Sequence, residues 1–331
     1  MMDRRTACIR VAAGAWLALP RRGLAQAAAD RVYRVGVLRP SAAFASANDV
    51  QGTGIAVALR EIGYVEGRNL VLDQRFGGGD VTRLPTLARE LVLARPEVIV
   101  AIGQSAVRAA RVATPTIPIV MFGNFDPVAA GLVTNLARPG GTLTGILIAP
   151  DGSLGAKRLE LLKAAVPQAR RIAHLIPDDP AFDAQLREMR EAAAALGIAL
   201  AEVKVAGGDY ERAFAEIVLQ RPAALVVASN QFFMSDRRTI IELAARHKLP
   251  AMYEWREQVA DGGLMTYSTS LTGLYRRVAS QVDRILKGAA PGDLPIERPA
   301  KFDLVINLKT ARALGLTIPP ALLLRADEVI E

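Results

Sequence analysis

Past residue 33 the chain alternates short runs of β-branched and aliphatic residues with longer stretches in which apolar positions recur every three or four residues. The runs suit strands buried on both faces, and the longer stretches suit helices with one apolar side. The pattern predicts strands at 34–38, 70–74, 98–102 and 117–121, separated by helices at 49–62, 81–94 and 105–112. The first of these helices stops at Gly63, which tolerates the positive φ of a C-terminal cap.

A second series starts near Ile146 and repeats the order, with helices predicted at 154–165, 182–196, 210–219 and 236–247 and strands at 171–176, 199–203, 224–228 and 250–253. Leu196-Gly197-Ile198 falls where Ile62-Gly63-Tyr64 falls, between the first helix and second strand of its series. Arg95-Pro96 before Val98-Ile99-Val100-Ala101 has its counterpart in Arg221-Pro222 before Leu225-Val226-Val227-Ala228, and Ile117-Pro118-Ile119 echoes Leu249-Pro250-Ala251. A weak repeat at an offset of about 130 residues means two similar lobes, not a solenoid.

The expected fold is α/β: two similar doubly wound parallel-sheet lobes joined by a hinge, lobe 1 over 31–147 and lobe 2 over 148–263. The remaining strands at 264–267 and 302–306 and helices at 271–286 and 310–314 are too few for a third lobe. Residues 264–331 are therefore expected to return to lobe 1 and complete the interlobe crossings, one of which is 140–148.

Composition agrees: of 331 residues 51% are hydrophobic and 5% aromatic, a balance that suits parallel sheets under Ala/Leu-rich helices. The formal charge of +8 suggests nucleic acid until it is placed on the chain. Residues 1–25 hold Arg4, Arg5, Arg10, Arg21 and Arg22 against Asp3, half of the excess, and the rest is dispersed without a basic run. No nucleic-acid partner is expected. The same segment has the parts of a secretory signal: basic Arg4-Arg5, an apolar stretch at 11–19, and small Gly23 and Ala25 at a cleavage position. Residues 1–25 are expected to direct export to the periplasm. Cys8, the one cysteine, lies within them, so a processed chain would hold no disulfide, thiol nucleophile or cysteine-ligated metal.

In an open parallel sheet the loops beyond the carboxyl ends of the strands converge, and helix N-termini there present unpaired N–H groups. Those ends carry Ser41 and Phe44, Gly103-Gln104-Ser105, and Asn124 with Asp126 in the first series. In the second they carry Asp178-Asp179, Ser229-Asn230-Gln231, and Tyr253 with Glu254. Facing lobes with such tips form a clamp that closes on a small solute and expels water. Gln104-Ser105 at a helix start would cradle a carboxylate, Asp126 or Glu254 would pair with an amine, and Phe44, Tyr253 and Tyr267 would cover an apolar or aromatic part. The candidate ligand-binding set is Ser41, Phe44, Gln104, Ser105, Asn124, Asp126, Asp178, Ser229, Asn230, Tyr253 and Tyr267. Plainer roles stay open: Ser105 as a helix cap, Asp126-Pro127 as a cap followed by proline at the first helical position, Phe232-Phe233 as packing residues.

Signals for catalysis are weak. Of two histidines, His174 falls in a strand and is expected to be buried, and His247 ends a helix. Neither has metal-ligand spacing, so no metal or cofactor is expected. Gly103-Gln104-Ser105-Ala106-Val107 is similar to a nucleophile elbow, but Val107 stands where the second glycine is needed. Gly77-Gly78-Gly79-Asp80 lacks the dinucleotide spacing and reads as a turn.

Several stretches carry a resemblance: 59–70 (Leu-Arg-Glu-Ile-Gly-Tyr-Val-Glu-Gly-Arg-Asn-Leu), 126–133 (Asp-Pro-Val-Ala-Ala-Gly-Leu-Val), 137–145 (Ala-Arg-Pro-Gly-Gly-Thr-Leu-Thr-Gly), 157–163 (Lys-Arg-Leu-Glu-Leu-Leu-Lys) and 301–311 (Lys-Phe-Asp-Leu-Val-Ile-Asn-Leu-Lys-Thr-Ala). Together with 313–319 they resemble the ABC-transporter substrate-binding proteins related to tryptophan- and tyrosine-binding members. The resemblance implies a type I periplasmic-binding fold with three interlobe crossings, delivering a solute to a membrane permease and its ATPase. Gln104-Ser105, Ser229-Asn230 and Pro177-Asp178-Asp179-Pro180 depart from the family's usual cleft residues. The expected function is a monomeric periplasmic receptor for a small carboxylate-bearing solute, amino-acid-like or aromatic. Alternatives are a sensor subunit that presents ligand to a signalling partner, and an enzyme built on Asp126, Asp178 and Glu254. A DNA-binding repressor of this fold would need an N-terminal helix-turn-helix, for which 11–19 is too uniformly apolar.

Overall fold

The computed structural model describes residues 31–41, 50–148 and 153–331; the proposed signal segment and Phe44 lie outside them. Strands β1 (Tyr33–Arg39), β2 (Leu70–Phe76), β3 (Val98–Ile102), β4 (Ile119–Gly123) and β5 (Leu143–Leu147) form a parallel sheet in the order β2-β1-β3-β4-β5. Helices α1 (Val50–Glu61), α2 (Leu84–Leu93) and α3 (Gln104–Ala113) connect its first four strands. Every residue of β3, Val-Ile-Val-Ala-Ile, is buried, as a central strand covered on both faces requires.

The second sheet starts with β6 (Arg171–Pro177), β7 (Ala199–Val205), β8 (Ala224–Val227), β9 (Ala251–Tyr253) and β10 (Met265–Ser268), parallel in the order β7-β6-β8-β9-β10. Its helices are α4 (Ser153–Ala165), α5 (Asp183–Ala195), α6 (Tyr210–Leu219), α7 (Gln231–Ser235), α8 (Arg237–Arg246) and α9 (Arg256–Ala260). Numbered from its own first strand, each sheet has the same order, 2-1-3-4-5. The repeat extends to single dihedral angles: Arg95 (φ 51°) after α2 and Arg221 (φ 48°) after α6 both take the left-handed conformation just before a proline. Each ends its helix the same way and turns the chain into the next buried strand.

Residues 264–331 depart from expectation. Helix α10 (Leu271–Leu286) packs on the first lobe, against α1, β4 and β5. The strands do not follow it. β10 joins β9 in parallel, β11 (Asp303–Asn307) joins β10 antiparallel and β12 (Glu328–Ile330) joins β11, so both strands assigned to lobe 1 or the hinge, with β12 beyond them, extend the second sheet to seven. The reason is the repeat itself: β10 follows β9 through α9 as the fifth strand of its series, the counterpart of β5. Likewise 140–148, read as a crossing, contains β5 and belongs to the first sheet. The short helices α11 (Leu308–Ala313) and α12 (Pro320–Leu323) complete the chain between β11 and β12.

Sheet membership makes the chain pass between lobes three times: after β5 toward α4, after β10 into α10, and after Glu297, which pairs beside β5, toward β11. The apolar cluster of the first lobe also takes in Leu154, Met234 and Trp255 from second-lobe elements, which ties the lobes together.

Candidate functional site

The carboxyl ends of β3 and β4 face those of β6 and β8 across a cleft of about 280 Å³, continuous with a smaller recess of about 70 Å³ with which it shares Gln104, Asn124, Phe125, Ala181, Gln185 and Ser229. Such volumes lie at the small end of metabolite sites. On the first-lobe side, β3 ends in Gly103, whose φ of 84° is one that side chains rarely adopt, and α3 begins immediately. No side chain among the described residues caps this helix, and its first internal bond runs from Val107 N–H to the Gly103 carbonyl. The N–H groups at Gln104 and Ser105 are therefore presented to the cleft at the positive end of the helix dipole.

The second-lobe side is built on a buried arginine. Arg158 lies on the apolar stripe of α4 with Leu154 and Leu162, and is 3% exposed. Its Nε donates to the Tyr267 carbonyl (2.9 Å), one terminal nitrogen to Ser229 Oγ (2.8 Å) and the other to the Glu254 carbonyl (2.8 Å). Burial pulls the guanidinium down to about 10, opposed by the charge of Glu254, and it stays a cation at neutral pH. The Glu254 carboxyl, 5% exposed, is pushed up to about 7 by desolvation, against the pull of Arg158 and hydrogen bonds from Ser229, Trp255 and the Asn230 backbone. Gln258 locks this corner, its Oε1 accepting from the backbone N–H groups of Glu254 (3.0 Å) and Trp255 (2.9 Å).

Hydrogen bonds among the described residues also join the lobes across the cleft. Ser105 Oγ donates to both oxygens of Asp179 (3.1 and 2.9 Å), and the Gln185 amide donates to the Asn124 carbonyl. The rim is of mixed sign, with Arg108 and Arg187 set among Asp126, Asp183 and Glu188.

The sequence-predicted residues divide. Gln104, Ser105, Asn124, Asp126, Ser229 and Asn230 all line the cleft or its recess. Three of them also have local duties: Asp126 accepts from the Val128 and Ala129 N–H groups, Asn230 caps α7 through Phe232 N–H, and Ser229 holds Arg158. The other described residues lie elsewhere. Ser41 is fully buried and is not among the residues that line the cleft or its recess. Asp178 continues the β6–β7 ladder through its N–H to Val205 and turns its exposed carboxylate toward Lys204 at 3.4 Å. Its neighbour Asp179, one step on and therefore on the opposite side, is the carboxylate that reaches the cleft. Tyr253 is 1% exposed within a second-lobe core cluster, packed over Gly263, so the next two residues, Glu254 and Trp255, take the cleft positions. Tyr267 stacks on Phe302 at 5.7 Å and contributes its carbonyl to Arg158. The Gly77-Gly78-Gly79 amides are spent on the carbonyls of Arg39, Ser41 and Pro40, so this turn fastens the end of β1.

Residues 43–330 match the family described as ABC transporter substrate binding protein. The chain belongs to that family. A tyrosine-binding protein of Clostridioides difficile is 25% identical over 264 residues, 80% of this chain and 76% of that protein. The crystal structure of a conserved domain protein from Vibrio cholerae is 28% identical with a TM-score of 0.80, covering 90% of this chain and 100% of its own. An ABC domain from Streptococcus pneumonia in complex with L-Trp is 26% identical with a TM-score of 0.77 and the same coverage. The architecture is the type I periplasmic-binding fold.

In this substrate-binding protein the sequence reading missed Arg158, Gln185, Trp255 and the inner-wall residue His174, and took Asp178 into the candidate set where its neighbour Asp179 lines the cleft. Arg158 left a trace: it interrupts the apolar stripe Leu154, Leu161, Leu162, Ala165 of α4, where a cation is out of place unless it is held. Gln185 left none, because its role depends on the approach of the other lobe.

Proposed function

We propose that this chain is the solute-binding receptor of an ABC importer, a monomer working in the periplasm, and that its solute is an amino acid with an aromatic side chain, released unchanged. The observation that carries the reading is the uncapped start of α3 facing, across the cleft, the buried Arg158–Glu254 corner. The helix start suits a carboxylate. The mixed rim suits a zwitterion, and Phe125, Trp255 and Met189 supply apolar walls. The family supports a small-molecule ligand and a permease partner, and relatives that bind tyrosine or L-Trp support the aromatic class.

A thermal-shift and calorimetric screen of amino acids, aromatic acids and short organic acids tests it. An aromatic amino acid present at about 100 times its Kd should stabilise the fold by about 2.7 kcal/mol by mass action. Absence of any shift across the amino acids, with the protein folded, overturns the reading.

A further inference from the structure

Strand β6 carries one residue out of keeping with the face it occupies. His174 lies two positions from Ile172 and opposite Val226 on β8, and both neighbours belong to one apolar cluster with Met189 of α5. His174 is itself 3% exposed and makes no hydrogen bond among the described residues, its Nδ1 being buried without a partner. Burial holds the imidazole down to about 4, so it is neutral at physiological pH. A neutral imidazole has one donor and one acceptor nitrogen, and keeping Nδ1 dry and unpaired is costly. Such a group calls for a partner outside the protein chain.

The cleft supplies the route. It extends from Gln104 and Asn124 at the first-lobe tips, past Arg158, to Met189, Val226 and His174 inside the second lobe. Beside His174 the wall is apolar at Met189 and Val226, and the imidazole is a polar group set into it.

We propose that His174 is a specificity-determining residue, hydrogen bonding a polar group on the far edge of the solute's aromatic ring. The solute class narrows accordingly to amino acids whose ring bears an O–H or N–H, in preference to those with a plain hydrocarbon ring. This rests on the function proposed above, with the amino-acid end held at α3 and the ring directed into the second lobe.

The test is calorimetric titration of the chain and its His174→Leu variant with two matched pairs: L-tyrosine against L-phenylalanine, and L-tryptophan against 3-benzothienyl-L-alanine, in which sulfur replaces the N–H. In the native protein the polar member of at least one pair should bind about tenfold or more tighter. In His174→Leu that ratio should fall to within about twofold, with affinity for the partner lacking the polar group retained. Ratios near one in the native protein, or a ratio unchanged by the substitution, overturn the proposal alone. Failure of all four to bind overturns it together with the aromatic reading beneath it. If His174→Leu does not fold, the native protein still decides the matter, because it has two histidines. The ring nitrogens of His174 should shift in the 15N spectrum on adding the preferred amino acid while those of His247, at the end of α8, stay put; an unmoved His174 overturns the proposal.

Discussion

Glu254 and Arg158 are opposite charges, each more than nine-tenths buried, joined through Ser229 at the floor of the cleft. Because desolvation raises the Glu254 carboxyl from 4.5 to about 7, the folded protein holds this proton more tightly than the unfolded chain does. The stability so contributed is complete below pH 4.5 and is lost as pH rises through about 7. A shift of this size corresponds to on the order of 3 kcal/mol. Urea unfolding at pH 5 and pH 8 should therefore show the native protein losing stability toward pH 8. Glu254→Gln should shrink that loss by on the order of 2–3 kcal/mol; an undiminished loss would place the titration elsewhere, Asp236 and Glu257 being the other carboxyls raised by burial. At this scale the sequence was legible by position and blind to direction. The strand ends were locatable from the apolar runs, which is why Gln104, Ser105, Asn124 and Ser229 reach the cleft. Which of two successive residues faces it depends on where a strand stops, and a slip of one residue moves a side chain to the other side. That slip separates Asp178 from Asp179 and Tyr253 from Glu254.

Helix α10 shows what an element's own pattern can and cannot tell. Leu271, Leu274, Tyr275, Val278, Ala279, Val282, Ile285 and Leu286 are all buried at helical spacing, so its existence and its apolar face were readable from the sequence. Its destination was readable too, since it packs on the first lobe, whereas that of the strands around it was not. Pairing of β10 with β9 and β11 is a backbone matter that alternation does not encode. The close approach of α10 to α1 is made at Gly54: a Cβ there would overlap the Tyr275 ring, which itself lies 5.4 Å from Phe122. In an exposed helix Gly→Ala gains about 1 kcal/mol. Here Gly54→Ala should instead destabilise by on the order of 1–3 kcal/mol through overpacking. In a Tyr275→Leu background, where the ring is gone, the same substitution should become neutral or favourable, a coupling that a double-mutant cycle measures. A stabilising Gly54→Ala in the native background would mean that the two helices lie further apart than this.

For the whole molecule the question is what holds the lobes together before a solute does. Apolar contact joins them in part, with Leu154, Met234 and Trp255 of second-lobe elements buried in the first-lobe cluster. Across the cleft the lobes meet through polar contacts, of which Ser105 Oγ to Asp179 is fully assigned by side chains on both partners. The duplicated sheets were visible in the sequence because each lobe is folded by its own periodicity. This latch was not, because it exists only when independently folded tips approach. A hydrogen bond to a carboxylate in a partly solvated cleft contributes on the order of 1 kcal/mol, a factor of about five in the closed-to-open ratio. Ser105→Ala removes the donor and leaves Asp179 with its Ala181 N–H bond, so each lobe should fold as before. The unliganded variant should populate the open form more, seen as a larger radius of gyration by X-ray scattering. Affinity for the solute should fall by up to about fivefold because closure must now be driven by the solute itself, with dissociation faster and association little changed. The bound forms of variant and native protein should scatter alike, since a solute held between the lobes as proposed would supply the contacts that the latch supplied. An unliganded variant as compact as the native protein would assign closure to the remaining interlobe contacts, Gln185 on the Asn124 carbonyl first among them.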